Sequence, residues 1–100
     1  MDWRITWSKR AQQDLAELFA WIAKDAPDNC QRVARKIREK IKMIATHPNA
    51  GHRLTKYKNR RVKYVLVFKY RVFYRIDDEH LIILRIVHGA RKFPKLFQNN

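Results

Sequence analysis

The side chains of this sequence that are able to do chemistry are overwhelmingly cationic, and they are concentrated. Twenty-three Lys and Arg stand against nine Asp and Glu, a formal net charge of +14 over one hundred residues. No carboxylate side chain lies between Glu39 and Asp77, where Lys40, Lys42, Arg53, Arg61, Lys63, Lys69, Arg71 and Arg75 all fall. None follows Glu79, and Arg91, Lys92 and Lys95 close the chain. Such a field concentrates polyanions and acidic proteins around a molecule, so nucleic acid, a nucleoprotein or an acidic protein partner are the partner classes it points to. Arg61 and Arg91 fall at strand ends, where cations are less often decoration, whereas Arg75 reads as solvation of an open sheet face and Arg71 fits either role. His88 reads first as a hydrogen-bonded structural histidine and second as an acid or base. His47 and His52 flank a Pro–Gly loop with no Cys or carboxylate beside them, so no metal site is expected. No Gly-rich phosphate loop and no Ser–His–Asp set occurs, and no cofactor is expected. Cys30 stands alone, which suits a reducing cytoplasm, and reads as a small buried hydrophobe.

The elements that must position these groups follow from periodicity. From Val62 to Ile76 the even positions (Val62, Tyr64, Leu66, Phe68, Tyr70, Val72, Tyr74, Ile76) are apolar or aromatic, while Arg61, Lys63, Lys69, Arg71 and Arg75 occupy odd ones. A two-residue period places alternate side chains on opposite faces, which predicts a sheet with an apolar back and a cationic front. Fifteen residues exceed a typical strand of about 5–6, so two strands are expected, with a bend near Val65 to Lys69 that no Gly, Pro or Asn marks. Asp77-Asp78-Glu79 is a better-marked turn, leading to a last strand from Leu81 to Val87 that is apolar on both faces and so expected to be central.

Upstream, Trp3, Ile5 and Trp7 alternate as a short first strand, and Ser8 is placed to cap a helix. Ala11, Leu15, Leu18 and Ile22 form that helix's apolar stripe, which should stop near Ala26 because Pro27 disfavours helix in the residue before it. A second helix follows, with Pro27 and Asp28 in its first turn and a stripe of Val33, Ile37, Ile41 and Ile44. Its cations read first as a solvated face. His47-Pro48-Asn49-Ala50-Gly51 ends it, and Gly51 to Asn59 reads as a polar loop. The expected fold is α+β, in the order β-α-α-β-β-β, with a helical hairpin on one face of a mainly antiparallel sheet. One domain over residues 1–100 is expected, with 92–100 as a flexible or target-binding tail. No apolar run reaches the roughly 18 residues of a membrane span, and the N-terminus has no signal-peptide core.

The chain resembles the RelE/ParE superfamily of bacterial type II toxin–antitoxin toxins. The likeness rests on SKRAQQDLAELFAWI in the first helix, IKMIATHPNAGHRL closing the second, Arg61, the strand Tyr70 to Ile76, and the ending ILRIVHGARKFP. It implies a small basic toxin held inactive by a cognate acidic antitoxin, as a hetero-oligomer or with a homodimeric toxin. Trp21 lies off the main helical stripe and is the candidate anchor for the antitoxin or for a second copy. The RelE branch is a ribosome-dependent mRNA endoribonuclease that uses no metal, and it needs a base, phosphate-binding cations and an acid. Arg71 matches its middle-strand Arg and Arg91 its C-terminal one. Val62 and Tyr64 stand where its Lys pair would fall, with Lys63 between them, and Phe93 and Phe97 replace its C-terminal Tyr, leaving His88 as acid or base. The ParE branch breaks no bond and poisons DNA gyrase. The ending His88-x-x-Arg91 with Phe93-Pro94, and the His47-Pro48-x-x-Gly51 break, resemble that branch more. The favoured expectation is therefore gyrase inhibition by binding, through Arg61, Arg71, Arg91, Lys92, Phe93, Lys95 and Phe97. Ribosome-dependent RNA cleavage is the alternative. A non-catalytic basic nucleic-acid-binding module comes third, because only Phe73 stands on the cationic side of the sheet as a stacking platform.

Overall fold

The computed structural model describes residues 4–53 and 62–88. The elements run β1 (Arg4–Trp7), α1 (Lys9–Asp25), α2 (Asp28–Thr46), a 3-10 turn (Pro48–Ala50), β2 (His52–Arg53), β3 (Val62–Val67), β4 (Tyr70–Asp77) and β5 (His80–His88). The sheet order is β1-β5-β4-β3-β2, antiparallel except for the parallel β1–β5 pair. The α+β expectation holds, with β5 inside the sheet. The structure adds β2, which pairs with β3 inside the stretch expected to be a loop. Two residues of alternating register are too few for a sequence pattern to mark.

Local chemistry sets the helix ends. Ser8 caps α1 by accepting from the Ala11 N–H at 3.0 Å, and its own hydroxyl donates to the Leu84 carbonyl at 2.9 Å, tying the helix start to β5. The α1 helix ends at Asp25, and Pro27 is the N-cap of α2. Val33, Ile37, Ile41 and Ile44 are all buried as the stripe predicts, against Val65, Val67, Val72, Tyr74, Leu81, Ile83 and Ile86 of the sheet. Cys30 is only half-buried, its thiol pointing at the Phe19 carbonyl.

The expected assignment of faces is half right. β3 and β4 meet through the two-residue turn Phe68–Lys69, with Val65 opposite Val72 and Val67 opposite Tyr70. Each odd position of β3 therefore shares a face with an even position of β4. On β4 the even residues do pack against the helices. On β3 Val65 and Val67 do so, while Val62 and Tyr64 pack with Phe73, Val87 and Leu84 on the other face. A two-residue period carries parity along one strand, but a turn resets it. The unmarked turn is made by Phe68 itself, at φ 54.

A second tertiary device fixes the loop before β2. The Tyr74 ring is fully buried, its hydroxyl donating to the Pro48 carbonyl at 2.8 Å and accepting from the Gly51 N–H at 3.0 Å. A Cβ on Gly51 would stand 2.8 Å from a Tyr74 ring carbon, so glycine is required by close approach, its φ of −74° being ordinary.

Candidate functional site

The sheet face away from the helices carries one of the predicted site residues, Arg71. Its place is set by pairing: Leu66 lies opposite it on β3 and Val87 on β5. Its guanidinium carbon sits 5.3 Å from the centroid of the Tyr64 ring, a cation–π geometry. Tyr64 in turn stacks on His52 at 5.1 Å and meets Phe73 at 5.6 Å. The cationic face thus bears His52 and Tyr64 beside Phe73, two rings more than the sequence reading placed there. Phe73 is fully buried, however, which removes it as a surface for stacking bases. Arg75 lies on the same face, and its Nε is buried with no hydrogen-bond partner among the described residues.

Lys63 and His88 are elsewhere. Lys63 lies opposite Tyr74, on the helix-bearing face, and across from Arg53 on β2. Burial and the Arg53 guanidinium together hold its ammonium below the usual lysine range. His88 lies opposite Tyr70, edge-on to its ring at 5.5 Å, again on the helix-bearing side. The three residues of the RNA-cleavage expectation that are described, Arg71, Lys63 and His88, are thus divided between two faces. Arg61, Arg91, Lys92, Phe93, Lys95 and Phe97 lie outside the described residues.

Around His88 the helix-bearing side opens into a groove of about 560 Å³ between α1 and the ends of β4 and β5. Trp21, 66% exposed, stands on its wall with Leu18, Tyr70 and Lys69. Its inner end holds a pair that sequence reasoning missed. The Asp14 carboxylate accepts from Arg85 Nε at 2.7 Å, from Arg85 Nη2 at 3.2 Å and from the Ile86 N–H at 3.0 Å. These bonds brace a bulge in β5, where Phe73 pairs with Arg85 but Tyr74 with Ile83, leaving Leu84 over. The signal was present: Asp14 sits three residues after Ala11 and four before Leu18, on the stripe meant for apolar side chains, and Arg85 is the one charge within Leu81 to Val87. Among the described residues no group of His, Cys, Asp and Glu is arranged to hold a metal, and no helix is long and apolar enough to cross a membrane.

The sequence model for the ParE toxin of the type II toxin–antitoxin system parDE matches residues 5–93. Toxin ParE2 of Mycobacterium tuberculosis is 37% identical over 79 residues, covering 78% of this chain and 73% of that protein. Two solved structures share the fold. The chromosomal ParDE system from P. aeruginosa superposes with a TM-score of 0.70 at 18% identity, over 86% of this chain and 95% of that one. The toxin–antitoxin complex RelBE2 from Mycobacterium tuberculosis does so at 0.58 and 22%, over 88% and 99%. The stretch matched by the sequence model runs from β1 past the end of β5 and takes in Arg61, Arg71 and Arg91. The chain belongs to the ParE toxin family of type II toxin–antitoxin systems, within the RelE/ParE superfamily.

Proposed function

We propose that this toxin inhibits DNA gyrase by binding it, without breaking a bond, and that a cognate acidic antitoxin restrains it in the cytoplasm. The observation that carries the reading is the division of the candidate RNA-cleaving residues. A base, an acid and a phosphate-binding cation act on one ribose phosphate only when all lie within hydrogen-bond reach of it. Arg71 faces away from the helices, while Lys63 and His88 belong to the helix-bearing face. Arg71 resting on Tyr64 suits binding instead: a planar, permanently charged group held in place for a carboxylate or phosphate. Arg61, Arg91, Lys92, Phe93, Lys95 and Phe97 are the other residues proposed to bind the target. Trp21, standing free on the groove wall, is the proposed antitoxin anchor.

The test uses the purified toxin. Loss of gyrase supercoiling, or cleaved DNA trapped on gyrase, is the expected result, with Arg71→Ala and Arg91→Ala each weakening inhibition about tenfold while keeping the parent's thermal unfolding. Cleavage of ribosome-bound message, abolished by changing Arg71 or His88, would replace this reading with the endoribonuclease one.

A further inference from the structure

Arg53 and Lys63 are directly opposite residues of β2 and β3, so their side chains share one face of the sheet. Like charges set opposite one another on paired strands are destabilising. Among the described residues neither forms an ion pair, and no carboxylate side chain occurs in the sequence from Lys40 to Ile76. Burial first, and the facing Arg53 guanidinium second, hold the Lys63 ammonium below its usual range. An external anion seated between the two cations would relieve the repulsion. The α2 helix, which packs against β3 and leads through the 3-10 turn into β2, carries more of the same. Arg35, Arg38 and Lys42 are exposed and spaced at three and four residues, one stripe along the helix.

We propose that Arg53 and Lys63, in the positive field to which the exposed cations of α2 add, form a binding site for the phosphodiester backbone of nucleic acid, separate from both the Arg71 face and the Trp21 groove. The choice of nucleic acid over an acidic protein rests on what surrounds the cations. A protein interface is anchored by apolar and aromatic side chains at its centre, with charge at the rim. The large exposed apolar residues among those described are Ile5, Trp21, Leu66 and Phe68. Ile5 is on the far edge strand, Trp21 lines the groove, and Leu66 and Phe68 mark the far end of β3. None borders Arg53 and Lys63. Cations with no apolar centre among the described residues match phosphate contacts, which position a protein on a backbone without reading sequence. The site stands independently of the gyrase reading and is tested without gyrase.

The experiment measures binding of the full-length toxin to a labelled 20-base-pair duplex and to a single-stranded RNA of equal length, by anisotropy across a salt series. Each neutralised phosphate contributes about 0.9 to the slope of log K against log salt for duplex, and about 0.7 for single strands. The double variant Arg53→Gln/Lys63→Gln should therefore flatten the duplex slope by about two and weaken binding at least tenfold. Its thermal stability should equal or exceed the parent's, since a repulsive pair has been removed. A charge-matched control, Lys9→Gln/Lys24→Gln on the exposed surface of α1, should change affinity less than about threefold. Loss on both nucleic acids assigns the site to the shared phosphodiester, and loss on one alone assigns it to that nucleic acid. Equal weakening in the control and the double variant would overturn the proposal, because binding would then follow net charge alone. So would a double variant that keeps its nucleic-acid affinity but no longer binds poly-glutamate, which would make the site a carboxylate receptor.

Discussion

At the scale of single residues, two buried polar side chains fix positions that apolar packing leaves open. Asp14 is the one charged residue in the core among the described residues, and its two oxygens are matched by Arg85 and the Ile86 N–H. Asp14→Ala strands a guanidinium that is largely covered, so it should cost about 3–5 kcal/mol by urea unfolding. Pairing it with Arg85→Met should recover much of that loss, leaving the bare Ile86 N–H, at about 1–3 kcal/mol, as the residue of the cost. A loss below about 1 kcal/mol in the single variant would mean that the bulge is held by the backbone alone. Tyr74 gives a pH signature. Burial pushes its phenol above the ordinary value of 10.0, and the Gly51 N–H bond only partly opposes this. A raised folded value means that stability is fully present below about pH 10 and is lost as pH climbs through that raised value. Tyr74→Phe should cost about 1–2 kcal/mol at pH 7 for two hydrogen bonds. It should then show the shallower decline above pH 10. The comparison is made as a difference between the two proteins, because Lys63, with its lowered value, acts with the opposite sign in both.

At the scale of elements, the β3–β4 hairpin is the most informative. Its turn has Phe68 at φ 54, where a bulky side chain is strained by about 1–3 kcal/mol, and the matching turn of the next hairpin has Asp78 at the same φ. Aspartate tolerates that region and phenylalanine does not. Phe68 is 49% exposed, with the Arg32 guanidinium 5.7 Å from its ring centroid. Phe68→Gly should raise stability by about 1 kcal/mol in a urea titration, the relief of strain exceeding the lost half-exposed ring contact. A destabilised variant would instead show that the Arg32 contact holds the tip. The existence of both strands was legible from the alternating run. Their shared face was not, because the run contains no turn residue and the two-residue turn inverts parity on one side of it.

At the scale of the whole molecule, the charge map and the fold answer different questions. The amino-acid sequence by itself determined the net charge, the acid-free middle, the two helical stripes and the order of the elements other than β2, since these depend only on composition and short-range periodicity. It also carried the family likeness, because ordered motifs survive where no single one is distinctive. Tertiary structure alone decided which cations work together. Strand register put Arg53 against Lys63, set Arg71 on Tyr64, and sent Lys63 and His88 to the face opposite Arg71. It also joined Asp14 to Arg85 across 71 residues and brought Tyr74 to Gly51. Periodicity reports which way a side chain points relative to its neighbours on one strand. Which distant residue it meets depends on pairing between strands, and a turn of two residues or a single bulge is enough to change the answer.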